Sequence, residues 1–463
     1  MKQIIQKLVQ KKIIVTIIIL SLVILAGIYF LAEQDKKTLA IKSFSIMEKT
    51  MQFLPINKDT KKELQTLDKL SQELTKKDNQ TRRYLILLQN NMELRPGGGF
   101  LGQYAVLKIK NGEIESMYIE DANILDQRIK AKIKPPYPFK RMMQIKKWKF
   151  RDSNFSPDFL ENVKKAKYFY RLAGGNDNFD GVIAINSNVL NHLLELSGPI
   201  YLKYYGEFNS KNATLKLEEA VEKKYLYNEN LDTRYRKAVM KKLAAEIKNR
   251  LFHINKISQL SQLGLRELRE KNIMLAFQNQ ELQEAIKSVH WDGTVAQDWS
   301  GDYLMVVDAN MGALKSDYYI KRSLDYYVDL TGEKPVAFLK ILYKHTATHG
   351  DWRTSDYHSY LRVYTPQGSK LLERKMVSYP LIADEFNKTY FGFILHTLIN
   401  RQTLAEIKYE LPEKVRQGNY RLLIQKQSGV GDIPIKITIK TKDGEKVREE
   451  VLKNDLVLEM KMQ

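Results

Sequence analysis

The sequence predicts a mixed-sheet α/β core followed by a C-terminal β-sandwich, both carried outside a membrane on one transmembrane helix and a helical stalk. Three observations predict it. Residues 13–32 are an uncharged, almost wholly apolar run. Strand and helix patterns alternate from about 81 to 310, as in α/β folds. Beyond Ser316 helical periodicity stops, and period-2 segments recur with turns between them. The organisation that follows is a cytoplasmic tip (1–12), a transmembrane helix (13–32), a stalk (33–80), an α/β core (81–315) and a β-sandwich (316–463).

At 1.5 Å per residue the apolar run makes a helix of roughly 30 Å, the thickness of a bilayer's hydrocarbon core. The tip before it carries Lys2, Lys7, Lys11 and Lys12 and no acid. That asymmetry predicts a cytoplasmic N-terminus, with the bulk of the chain extracytoplasmic. A cleaved signal peptide is the alternative, but its apolar region is usually shorter and ends in a small-x-small site. Here Ala26, the best small residue for cleavage, has Ile24 two positions before it.

In the stalk, Leu64, Leu67, Leu70 and Leu74 recur at helical spacing among charged residues. Pro55 interrupts the stretch, and Asn57 and Asp59 suit the cap of a second helix. The core opens with a short apolar run at 84–88, as expected for a strand buried on both faces. Segments 103–110 and 113–119 flank Asn111-Gly112, the strongest short-range hairpin signal. Helical patterns at 157–172, 188–196, 215–252 and 257–269 alternate with strands at 181–185, 273–277 and 303–307. The sandwich segments run from 318–328 to 456–460, and Thr365-Pro366-Gln367-Gly368 and Lys442-Asp443-Gly444 supply turn chemistry.

The chain has no cysteine, which excludes disulfides, lipoprotein anchors, zinc–thiolate sites and cysteine nucleophiles. Lys and Arg number 75 against 54 Asp and Glu, a net charge of +21. An external position makes nucleic acid a poor partner for that charge. Anionic headgroups, wall polymers and phosphorylated lipid carriers are nearer at hand. A lysine-rich composition with a solvated surface is the plain alternative.

Gly97-Gly98-Gly99-Phe100-Leu101-Gly102 matches G-x-G-x-x-G formally, but an alternating strand follows where a dinucleotide site needs a helix. The glycines, Gly98 and Gly99 foremost, still permit a tight turn that presents N–H groups to an anion beside Arg95. Arg95, Arg151, Asp152 and Arg128 are the other candidates for an anion or pyrophosphate site, since arginine forks suit phosphate oxygens. Asp121 and Asp126 are candidates for a divalent ion such as Mg²⁺ bridging those phosphates. His345-x-x-x-His349, with Asp351, Asp356 and His358 nearby, has metal-ligand composition, yet its Thr and Gly residues argue against the helix that this spacing needs. No G-x-S-x-G elbow and no H-E-x-x-H occurs.

Four blocks together resemble the domain-of-unknown-function family 4012, found in membrane-anchored bacterial surface proteins. They are Tyr84-Leu-Ile-Leu-Leu-Gln-Asn-Asn-Met-Glu-Leu-Arg-Pro-Gly-Gly-Gly-Phe100, Trp148-Lys-Phe-Arg-Asp-Ser-Asn-Phe-Ser-Pro-Asp158, Phe179-Asp-Gly-Val-Ile-Ala-Ile185 and Asp302-Tyr-Leu-Met-Val-Val-Asp-Ala-Asn310. The order of buried strand, arginine turn, hairpin, Asp180-Gly-Val-Ile-Ala-Ile185 and Gly198-Pro-Ile200 is also distantly similar to LytR-CpsA-Psr glycopolymer transferases. That resemblance implies arginines holding a polyprenyl pyrophosphate and aspartates holding magnesium, with Arg95 at the family's first arginine. The chain departs from it where Pro96-Gly97 follows Arg95 in place of Ser-Asp. The expected function is therefore an envelope protein that binds or assembles anionic envelope polymers or lipid-linked glycans. The alternatives are an active Mg-dependent transferase using polyprenyl-pyrophosphate substrates, and a structural adhesin.

Overall fold

The computed structural model describes residues 57–220, 238–251 and 256–461. The tip, the apolar run at 13–32 and the first part of the stalk lie outside the described residues. Among the described residues no helix is long and apolar enough to cross a membrane.

Helix α1 (Lys58–Thr75) leads into strands β1 (Thr81–Asn90), β2 (Phe100–Lys110) and β3 (Glu113–Asp121). Helices α2 (Ala122–Arg128), α3 (Tyr137–Met143) and α4 (Phe159–Leu172) precede β4 (Gly181–Asn186). Then come α5 (Asn188–Ser197), the hairpin β5 (Ile200–Leu202) and β6 (Gly206–Phe208), α6 (Ala213–Glu218), α7 (Ala238–Leu251) and α8 (Ile257–Arg269). Strand β7 (Ile273–Phe277) and α9 (Gln280–Ser288) follow. After β8 (Asp302–Asn310) the described chain is strands and short 3-10 turns. Taken together, the described residues form a mixed α and β fold.

The chain forms two compact units, each assembled from separate stretches. The first takes residues up to Leu88, Gln103–Asp121 and Asn178–Asp292. Its five-stranded sheet runs β3-β2-β1-β4-β7, with β2–β3 and β4–β7 antiparallel. The β2–β3 turn places Asn111 and Gly112 at positive φ (52° and 77°), the backbone that the Asn-Gly pair favours. One core joins Tyr84 and Ile86 of β1, Leu275 of β7 and Ile286 of α9 to Leu64, Leu67, Leu70 and Leu74 of α1. The expected stalk is thus corrected over 58–75: its leucine stripe is packed inside this unit. Asn57 caps that helix, its Oδ1 accepting from the Thr60 N–H at 2.8 Å.

The second unit takes Gln89–Gly102, Ala122–Asp177 and Gly293–Gln463. It holds two six-stranded mixed sheets. One runs β12 (Lys370–Lys375), β15 (Gln402–Glu410), β10 (Val336–His345), β9 (Ile320–Asp329), β17 (Ile433–Thr441), β18 (Gly444–Leu452). The other runs β13 (Leu381–Glu385), β14 (Lys388–Thr397), β11 (Tyr357–Pro366), β8, β16 (Tyr420–Ile424), β19 (Leu456–Met460). Alternate side chains of both sheets share one core, with Tyr326, Leu339, Ile407 and Ile437 from the first and Leu304, Leu361, Phe393 and Leu422 from the second. The units therefore do not divide at 315/316. Strand β8, expected in the α/β core, is an interior strand of a sandwich sheet between β11 and β16, its apolar run buried from both sides.

Candidate anion-binding site

The second unit carries a hollow of about 560 Å³. Its lining comes from the arginine turn after β1, the loop after α3 and the 3-10 turn Phe150–Asp152. Local sequence explains the loop. Pro138 sits in the first turn of α3, and Gln144 ends it in the left-handed conformation at φ 54°. From there Ile145, Trp148 and Phe150 turn inward. Phe150 is fully buried, and its N–H donates to Asp126 Oδ1 at 2.8 Å. Trp148 donates from Nε1 to the Asp152 carbonyl at 2.9 Å, and with Ile145 it packs against the Phe139–Phe155 cluster. Lys146, Lys147, Lys149 and Arg151 line the hollow instead.

Of the residues singled out from sequence, Arg95, Arg151 and Asp152 line this one hollow. They do so in different ways. Arg95 is 1% exposed, and its N–H groups are engaged by the protein itself. Nε donates to Asp152 at 3.1 Å, Nη1 to the Leu94 and Asn310 carbonyls, and Nη2 to Glu93 at 2.9 Å, with Asp152 at 3.0 Å. Burial works against the charge, but the two carboxylates outweigh it and hold the Arg95 pKa above its ordinary value. The expected pyrophosphate fork is corrected to a buried cation that ties together three stretches of this unit. Arg151 keeps a side chain 31% exposed, with Nε 2.9 Å from Asp126 and Nη1 donating to Asn123 at 2.6 Å.

The glycine turn is also spent on the protein. Gly97 N–H donates to the Asn154 carbonyl, Gly98 N–H to the Arg95 carbonyl and Phe100 N–H to the Glu93 carbonyl. Gly98 sits at φ 117°, where a Cβ would lie 2.4 Å from Gln89 Oε1 and 2.5 Å from Ser428 Oγ. A Cβ on Gly99 would lie 2.6 Å from the Asn90 carbonyl. These glycines are required by close packing, and the expected open N–H nest is not formed by Gly98 and Gly99. The strand β2 begins at Phe100, so the run leads into a sheet.

The remaining candidates fall elsewhere. Arg128 ends α2 and is not among the residues lining the hollow. Asp121 ends β3 in the first unit, and Asp126 belongs to the second. Asp126 is 2% exposed and committed to Arg151 and Phe150; burial pushes its pKa up, against the pull of Arg151. Among the described residues no three His, Asp or Glu side chains converge on a common point as metal ligands would. Lys146, Lys147 and Lys149 are not among the candidates read from the sequence, where the lysines are weighed only as overall composition. The available signal was local: Lys146-Lys147-Trp148-Lys149-Phe150-Arg151 puts four cations in six residues, with the aromatics as inward anchors.

With Arg95 and Arg151 the lining carries five cations against Glu93 and Asp152, both of which are engaged by Arg95. A hollow of that balance favours an anion, and the lysines, as flexible point charges, suit phosphate groups without demanding one geometry.

Residues 79–221 match the family model described as "Protein of unknown function (DUF4012)", and over that segment the chain carries this family's domain. No curated protein matches the chain. Among solved structures, the Lin1025 protein from Listeria innocua is similar at 13% identity, over 46% of this chain and 79% of that one, with a TM-score of 0.25. That likeness is too distant to bear on fold or function.

Proposed function

We propose that this chain, a carrier of the DUF4012 domain, is a membrane-anchored extracytoplasmic protein of the cell envelope that binds anionic polymers or lipid-linked glycans. The observation that supports this most is the cationic lining supplied by one loop, Lys146 to Arg151, around a hollow of about 560 Å³. Phosphate oxygens of a wall polymer or of a polyprenyl pyrophosphate would meet those side chains without disturbing the buried ion pairs beneath. The engaged donors of Arg95 favour recognition over transferase chemistry. To grip a pyrophosphate, Arg95 would have to release Glu93 and Asp152 while buried, and separating such a pair is costly. The apolar run at 13–32 as anchor and the distant similarity to LytR-CpsA-Psr proteins belong to the same proposal.

The test uses the full chain in detergent micelles, with labelled polyphosphate and farnesyl pyrophosphate as probes and a neutral dextran as control. Replacing Lys146, Lys147 and Lys149 together by Gln should weaken polyphosphate binding. At about 1 kcal/mol per basic side chain near an anionic surface, the loss is roughly a hundredfold. Added salt should weaken the wild-type complex and matter less to the variant. Unchanged affinity in the variant, or equal affinity for dextran, would overturn the proposal.

A further inference from the structure

The segment His345 to His358 carries ligand-type residues, and the structure separates them. His345 is buried, with Nε2 3.0 Å from the Ser355 carbonyl. Asp351 is held by the Arg353 guanidinium at 2.8 Å. His358 instead meets a residue that spacing could not connect to it. Strands β11 and β14 pair antiparallel, and their register sets His358 directly opposite His396. The two ring centroids are 4.6 Å apart with planes at 78°, and the Nδ1 atoms face each other in hydrogen-bonding contact. His396 is exposed, so the pair is open to solvent.

Between two facing imidazole nitrogens only one proton fits, so at least one Nδ1 offers its lone pair. The neutral imidazole is also the form that ligates metals. Asp356 is two residues from His358, and its Oδ1 accepts from the Ile399 N–H at 2.9 Å. That bond fixes the carboxylate beside the pair.

We infer that His358 and His396 form a transition-metal site, in which the two Nδ1 atoms take a first-row divalent ion such as Zn²⁺ or Ni²⁺ and water fills the remaining positions. A small outward rotation of the rings opens the facing nitrogens to an ion. Imidazole ligands select this class over Mg²⁺ or Ca²⁺, which prefer oxygen. The site is separate from the anion hollow and does not depend on what that hollow binds.

The experiment is equilibrium titration of the full chain with ZnCl₂ or NiCl₂ against a metallochromic indicator, paired with thermal melts. One ion per chain is expected, undisturbed by millimolar Mg²⁺. Either His358→Gln or His396→Gln should cost about tenfold or more in affinity, whereas His349→Gln should cost nothing. Metal-free melting temperatures of the variants report whether they fold. Added Zn²⁺ should then raise the melting temperature of the wild type and of His349→Gln, but not that of His396→Gln. A pair that merely shares a proton would leave melts and indicator unmoved by metal, and that result overturns the inference. So does binding that survives both pair substitutions.

Discussion

Asp302 opens strand β8 with its carboxylate fully buried. Tyr420 donates to it at 2.5 Å, Tyr326 at 2.9 Å and its neighbour's backbone, Tyr303 N–H, at 2.7 Å. These bonds favour the charged form, yet desolvation is the larger effect and pushes the pKa up to about 6, from 3.8. An acid whose folded pKa lies above its unfolded one binds an extra proton in the native state between those two values. Its contribution to stability is thus most favourable below about pH 4 and is lost as pH rises through 6. The full swing is about 3 kcal/mol. Urea denaturation of wild type and Asp302→Asn from pH 4 to 7 should show that slope in the difference between them, because Asn keeps an acceptor for the tyrosines and does not titrate. A flat difference would mean that the three donors hold the carboxylate charged at no cost. Asp302 stood out in the sequence only as part of a family-like block. So did Asp308 and Asn310, which serve Arg322 at 2.8 Å and Arg95 at 2.8 Å through side chain and carbonyl respectively. Their roles depend on partners far along the chain, which spacing does not reveal.

Helix α1 shows what periodicity can and cannot tell. The leucine stripe and its start near Asn57 were legible, because a 3.6-residue repeat and a side-chain cap are local properties. Its partner was not legible: one apolar stripe suits a stalk pairing with another helix as well as a helix laid on a sheet. Here Thr66 Oγ1 reaches the Ala285 carbonyl of α9 at 3.2 Å, and Lys69 pairs with Glu281 at 2.6 Å. Leu67, 2% exposed, gives the test. Leu67→Ala should cost about 2–5 kcal/mol in chemical denaturation, as for a leucine in a packed core, whereas a free spacer would lose a few tenths. Strand β8 was misplaced for a related reason, since a continuous apolar run fits any strand buried on both faces, whichever sheet receives it.

At the scale of the molecule, the proposal places residues 1–12 in the cytoplasm and both units outside. The absence of native cysteine makes this directly measurable. In intact cells an impermeant maleimide should label Gln463→Cys and leave Lys2→Cys untouched until the membrane is opened; the reverse pattern would invert the orientation. The anion hollow was partly legible at this scale. Arg95, Arg151 and Asp152 were found from residue type, but their division into a buried tie and an outward cation follows from packing alone. The interleaved connectivity has a further consequence, for biosynthesis. The chain passes between its two units at 88/89, 102/103, 121/122, 177/178 and 292/293. Read from the ribosome, the first unit has all its residues once Asp292 has emerged. The second holds its earliest stretches, with Arg95 and its two carboxylates, in waiting until residues 293–463 arrive with the Asn310 carbonyl that completes the tie. Closure of that buried tie therefore waits on the last of the three stretches to be synthesised.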